Sequence, residues 1–195
     1  MEGIMVNPEF IIFTGPMFGS KTTRLIAAVD RFRYQNKTIA AFKPSLDNRY
    51  AISKIKTHSG GTLDAECVNS GNDIIKYISN HHSDIDVIAV DEAFMIKDVA
   101  ISLIDLFKRG KTIIVSSIQI SSSGKIFEEI RDMMPWATKI EICPAVCTVS
   151  GNDAYYTYRK SEEIREIEVG GPELYEPRCF CHHIHINLRD YHGPH

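Results

Sequence analysis

Short apolar runs alternate with longer stretches of helical period along the first three quarters of the chain. The run FIIFT, Phe10–Thr14, carries no charge and reads as a strand buried on both faces. Over residues 21–34, Leu25, Ile26, Val29 and Phe32 recur at helical spacing. The runs TIAAFK (38–43), DVIAVDE (86–92), KTIIVSS (111–117) and TKIEIC (138–143) read as further strands. Helices are predicted over 72–79, with Ile74, Ile75 and Ile78 on one face, over 99–108, and over 125–134, where Pro135 ends the pattern. Strand-helix alternation of this kind predicts an α/β fold, a mostly parallel sheet flanked by helices.

The pattern changes after Cys143. YYTYR (155–159) and REIEV (165–169) alternate like antiparallel strands, and GGPELYEP (170–177) is a loop by composition. An α/β domain is therefore expected at 1–143. A small second domain follows at 144–195, ending in the His-rich tail HHIHINLRDYHGPH.

Composition narrows the function classes. Charged residues make up 24% of the chain and hydrophobic ones 44%, enough apolar material for a core. The net charge is −3, so no overall basic field favours nucleic acid as a partner. No apolar run approaches the roughly 20 residues that cross a bilayer, which argues against a membrane partner. MEGIMVNPEF lacks the basic and apolar segments of a signal peptide, so a cytoplasmic location with reduced thiols is expected. The cysteines number five, an odd count that argues against a disulfide framework, and four of them lie at 143–181.

The chemistry starts at GPMFGSKTT, residues 15–23, directly after the first strand. The phosphate-loop pattern is G-x-x-x-x-G-K-[ST]. Gly15, Lys21 and Thr22 are in register with it, but Ser20 stands at the second glycine position and the glycine falls at Gly19. A strand, a glycine turn and a helix N-terminus aim several N–H groups at one point, which suits a polyphosphate. Lys21 would reach the outer phosphates and Thr22 would ligate Mg²⁺. A side chain at position 20 is expected to strain the turn by about 1–3 kcal/mol. Asp91 and Glu92, at the end of a buried strand, supply a Mg²⁺ ligand and a group able to take a proton from an attacking hydroxyl.

With these residues in place the chain resembles the type II thymidine kinases. The family's loop appears as GPMFGSKTT, its D-x-RY element as Asp47-Asn48-Arg49-Tyr50, and its TH element as Thr57-His58. Its apolar-DE-[AG] strand end appears as Val90-Asp91-Glu92-Ala93, and its AVC element as Ala145-Val146-Cys147. Its YT-x-R strand appears as Tyr156-Thr157-Tyr158-Arg159, and its GG-x-x-x-Y loop as Gly170-Gly171 followed by Tyr175. The resemblance implies transfer of the ATP γ-phosphate to the 5′-hydroxyl of thymidine or deoxyuridine, with Glu92 as general base. It implies ATP contacts from Gly15, Pro16, Met17, Phe18, Gly19, Ser20, Lys21, Thr22, Thr23, Asp47, Arg49 and Asp91, with Thr22 and Asp91 on Mg²⁺. It implies a nucleoside enclosed by Met17, Met95, Ser122, Thr157, Val169, Gly170 and Tyr175, and a homotetramer.

Departures from the family pattern occur at Ser20, at Phe94 and Met95, and at Ser122, where the family usually has an aromatic residue that packs on the base. The family commonly carries structural Zn²⁺ on C-x-x-C and C-x-x-[CH]. Cys179-x-x-His182 fits, whereas Cys147-x-x-Ser150 offers one thiolate; Cys143 or Cys181 is the candidate fourth ligand. Two rival readings stand beside the kinase: a relative that binds nucleotide without turnover, and an unrelated P-loop ATPase.

Overall fold

The computed structural model describes residues 7–46, 53–57, 60–81, 85–160 and 170–183. Asp47, Arg49, His58, Val169, the REIEV segment and the tail beyond His183 lie outside the described residues.

The first strand, β1, is Phe10–Thr14, followed by α1 at Lys21–Tyr34 and β2 at Ile39–Pro44. A small hairpin follows, β3 (Lys54–Lys56) with β4 (Thr62–Asp64), then β5 (Glu66–Val68) and α2 (Gly71–Asn80). Next come β6 (Val87–Val90), α3 (Val99–Lys108), β7 (Thr112–Ser117), α4 (Glu128–Met133) and β8 (Lys139–Ile142). Beyond it lie β9 (Ala145–Val146), β10 (Asp153–Ala154), β11 (Tyr156–Arg159) and β12 (Tyr175–Arg178).

Six strands form the central sheet in the order β5-β2-β6-β7-β1-β8, and every pairing is parallel. Such a sheet needs cover on both faces, because its connections place helices there. The two-residue side-chain period divides each strand between two cores. Phe10, Ile12, Phe42, Ile88, Val90, Ile113 and Val115 face the layer of α2, α3 and α4, whose Ile74, Leu103 and Ile130 are fully covered. Ile11, Phe13, Ala41, Ala89 and Ile114 face α1 through Leu25, Val29 and Phe32, with Ile55 and Leu63 of the hairpin beside them. Each large side chain buried in this way stabilises the fold by roughly 1.5–3 kcal/mol.

Strand order matters for the site. The loop after β1 and the acids after β6 are separated by β7, so any contact between them passes over the end of β7. The strand-helix alternation expected up to residue 143 is present, with β5 as an additional edge strand. The helix expected over 125–134 is shorter. Lys125 is tied into a turn by its N–H bond to Ser121 Oγ, and Ile126 bridges to Ile120. The helix stops at Met133, ahead of Pro135 as expected, and Pro135 sits in a 3₁₀ turn, Met134–Trp136, close to its start, where a missing N–H costs little. The GGPELYEP segment is only partly a loop, since β12 begins at Tyr175 and pairs antiparallel with β11.

The carboxylate of Asp73 caps α2: its Oδ2 accepts the N–H groups of Asn69 (3.1 Å) and Ser70 (3.0 Å). These bonds hold its carboxyl below the usual aspartate range, the bond to Asn69 contributing most. A depressed folded-state pKa adds stability above the unfolded value that is lost as pH falls through the folded one. Asp73→Ala is therefore expected to cost up to about 1 kcal/mol near pH 7. That should lower the melting temperature by about 2–4 °C, with the difference vanishing in strong acid. Thermal unfolding at both pH values checks it.

Candidate active site

β1 ends by delivering Gly15 to the edge of the sheet, and α1 begins at Lys21, so residues 15–20 must turn within a few ångströms. The turn is shaped from outside. Cys143, just past β8, donates its N–H to Thr14 O at 2.7 Å, and its own carbonyl lies against the loop. A Cβ on Gly15 would come within 2.3 Å of Cys143 O, and one on Gly19 within 2.4 Å. Both glycines are therefore required for the same steric reason. Gly15 also has φ +141°, which L side chains rarely adopt.

Ser20 is not strained, contrary to expectation. It has φ −74° and is exposed at the mouth of α1. The left-handed residue is Phe18, at φ +65°. It packs against the cluster of Ala145, Cys147 and Ala154, which anchors an otherwise unfavourable backbone. The shifted glycine is thus explained: Gly19 meets the Cys143 carbonyl, and position 20 needs no special freedom.

Lys21 is buried, and its ammonium donates to Pro16 O at 2.5 Å, beneath the turn. Met17 N–H donates to Thr157 Oγ1 at 2.9 Å, tying the loop to β11. Thr22 faces the strand ends. Its Oγ1 donates to Asp91 Oδ1 at 3.1 Å, and Ser116 Oγ donates to the same oxygen. Ser116, on β7, was not anticipated; the only signal was a pair of serines closing an apolar strand. Gln119 is a second such residue, its Oε1 accepting from Thr14 Oγ1 at 2.7 Å. Thr23 is exposed on the first turn of α1.

Asp91 is buried, and burial together with neighbouring Glu92 pushes its carboxyl up to about 7, against the Ser116 and Thr22 hydroxyls and the Lys21 charge. β6 ends at Val90, so both acids lie past it rather than within the strand. Glu92 has φ +50°, an unusual conformation for a glutamate, and its Oε2 is buried. Met95 belongs to the 3₁₀ turn that Glu92 opens, and Phe94 packs on Phe127 in a tilted pair with ring centroids 4.6 Å apart. The Phe94 departure is thus part of the core's edge. Ser122 lies in the turn between Ser121 and Lys125. Gly170 and Tyr175 bracket the turn before β12, where Tyr175 pairs with Arg159 of β11. His183, fully buried, bonds through Nε2 to Thr157 O at 2.8 Å and so supports the strand that holds Met17.

The donor atoms of Cys147, Cys179 and His182 lie within 4.8 Å of one another. Cys179 Sγ is 3.0 Å from His182 Nδ1. Burial opposes ionisation of Cys147, but the Ser150 hydroxyl and the N–H groups of Cys179, Ser150 and Val149 bring its thiol down to about 6. Two soft sulfurs and an imidazole form a donor set that suits Zn²⁺. Cys143 is outside this group. It is buried in the core against α1, where burial and Glu141 raise its thiol, so the expectation that it completes the set fails. Cys181 is exposed and likewise outside the group.

No described helix is long and apolar enough to cross a membrane. A sequence model of the thymidine kinase family matches residues 9–183. The thymidine kinase of Pyrobaculum aerophilum is 34% identical over 181 residues, covering 89% of this chain and 97% of that one. The thymidine kinase of Pseudothermotoga lettingae is 34% identical over 173 residues, covering 88% and 92%. The match takes in the loop, both acids, β11 and the trio of Cys147, Cys179 and His182, and the chain belongs to the thymidine kinase family.

Proposed function

We infer that the chain phosphorylates the 5′-hydroxyl of thymidine with ATP. One observation carries this reading beyond family membership: the phosphate loop and the paired acids meet, through Thr22 on Asp91, over the end of β7. The loop amides, the N-terminus of α1 and the Lys21 ammonium favour the ATP tail. For Lys21 to reach the outer phosphates, its ammonium must exchange the Pro16 carbonyl for phosphate oxygen.

Thr22 and Asp91 are the proposed holders of Mg²⁺, which supplies charge neutralisation across the β- and γ-phosphates. Glu92 is the proposed general base. Its carboxylate takes the 5′-hydroxyl proton as that oxygen forms a bond to the γ-phosphorus, the bond to the β–γ bridging oxygen breaks, and ADP leaves. Met17 and Thr157, already in contact, are proposed to form one wall of the nucleoside pocket, with Met95, Ser122, Val169, Gly170 and Tyr175 around it. Asp47 and Arg49 are proposed to act on the phosphates. A closed pocket keeps water from competing as acceptor. Cys147, Cys179 and His182 are proposed to hold structural Zn²⁺ in a C-terminal domain, 144–195, distinct from the nucleotide domain, 1–143. A homotetramer is proposed from family resemblance, and a cytoplasmic location from the sequence reading. The relaxed backbone at Ser20 removes the strain argument for a non-catalytic relative.

Radiolabelled phosphate transfer from ATP tests the assignment: product is expected with thymidine, and its absence in folded, ATP-binding protein would refute it. Glu92→Gln should reduce kcat by about 10²–10⁴-fold while ATP affinity, read by calorimetry, stays within a factor of about three; unchanged turnover removes Glu92 from the role.

Asp91 provides a pH test. In metal-free protein the unfolded carboxyl ionises near 3.8 and the folded one only near 7, so stability should fall as pH rises through that interval. Asp91→Asn should abolish this fall and also the stabilisation of wild type by Mg²⁺. Thermal unfolding at pH 5 and pH 8, with and without Mg²⁺, reads both effects, and parallel profiles for the two proteins would contradict the account.

A further inference from the structure

Among the described residues, the trio of Cys147, Cys179 and His182 is short of a ligand. Zn²⁺ in structural sites is almost always four-coordinate and tetrahedral, and this cluster offers two sulfurs and one imidazole nitrogen. The turn that carries Cys147 bends back at Gly151, whose N–H bonds to Cys147 O at 2.9 Å. It presents Ser150 at the place a second thiolate of a C-x-x-C pair would take. Ser150 Oγ lies 3.6 Å from Cys179 Sγ and accepts the Asn152 N–H at 3.4 Å. The residue is exposed, so this corner of the cluster opens to solvent, while Cys147 at the opposite corner is buried.

The other thiols do not fill the gap. Cys143 belongs to the core below the phosphate loop. Cys181 adjoins His182 in sequence, but the 3₁₀ turn Phe180–His182 leaves it exposed and outside the donor group. A neutral serine hydroxyl is a poor donor to Zn²⁺ compared with thiolate, imidazole or carboxylate.

We propose that Cys147, Cys179 and His182 bind Zn²⁺ as an open three-ligand site whose fourth position, at Ser150, is taken by solvent or a small exogenous anion. The inference rests on the reading above that this trio takes Zn²⁺. Its consequence is a metal held more weakly than in a closed four-ligand site and exchangeable from the solvent side.

Cobalt substitution of the intact chain tests it, with wild type and Ser150→Cys compared. Tetrahedral Co²⁺ reports thiolate count through its charge-transfer intensity and an open position through its visible bands. Wild type should bind one Co²⁺ with two-thiolate intensity, and azide should shift its visible bands. Ser150→Cys should gain a third thiolate, become insensitive to azide, and hold Zn²⁺ against a chromogenic chelator at least about 100-fold more tightly. Three-thiolate intensity and azide insensitivity in wild type, lost in Cys181→Ser, would overturn the open site while leaving zinc binding intact. Metal binding by neither protein, or by Ser150→Cys alone, would overturn both the open site and the zinc reading.

Discussion

The carbonyl of Cys143 sets the shape of the nucleotide loop. It approaches Gly15 and Gly19 so closely that neither position can carry a Cβ. The carbonyl is itself fixed, because β8 pairs with β1 along its whole length and Cys143 N–H continues that ladder to Thr14. An edge strand late in the chain thereby determines a turn near its start. The remaining supports follow from that fit. Phe18 is forced into the left-handed region and is held there by the small cluster around Cys147. Met17 is held by Thr157, and Thr157 by His183. The segment after β8 is therefore a brace for the loop as much as an appendage. Whatever occupies the site of Cys147, Cys179 and His182 acts one side chain away from the turn that would carry the phosphates.

The charges around the loop are arranged for a ligand rather than for stability. Asp91 is buried beside Glu92, an unfavourable pairing that two hydroxyls and Lys21 relieve only in part. The Lys21 ammonium lies under a backbone carbonyl. The proposed polyphosphate and divalent cation would add charges of both signs beside these groups and so offset part of the cost of burying Asp91 next to Glu92. Glu92, lifted off the strand by its left-handed backbone, stands next to this centre without being part of the Thr22–Asp91–Ser116 chain.

Much of this was legible because the strands are long apolar runs and the helices strongly periodic. α1 and α3 fall on the residues their spacing predicts. β5 escaped notice because three residues with only Val68 buried show no period. The hairpin of β3 and β4 was hidden for the same reason, with one buried residue in each strand. β12 was obscured by Pro177, whose missing N–H is tolerated opposite Thr157 in a two-stranded ladder. At the site, the motifs singled out Gly15, Lys21, Thr22 and Asp91, which the fold brings together, whereas the strain expected at Ser20 is absent. The reason is that a local pattern cannot show a carbonyl arriving from 124 residues away, as Cys143 does at Gly19. The candidacy of Cys143 as a fourth ligand failed likewise, since four-residue spacing from Cys147 says nothing of its place in the core directly after β8.

The most direct test of this account is the affinity for Mg·ATP of a Gly19→Ala protein, measured by calorimetry with folding confirmed by circular dichroism. If the Cys143 carbonyl shapes the loop, the added methyl group displaces it and binding weakens by at least about tenfold, or 1.4 kcal/mol. A folded Gly19→Ala chain that binds Mg·ATP as tightly as wild type would contradict it.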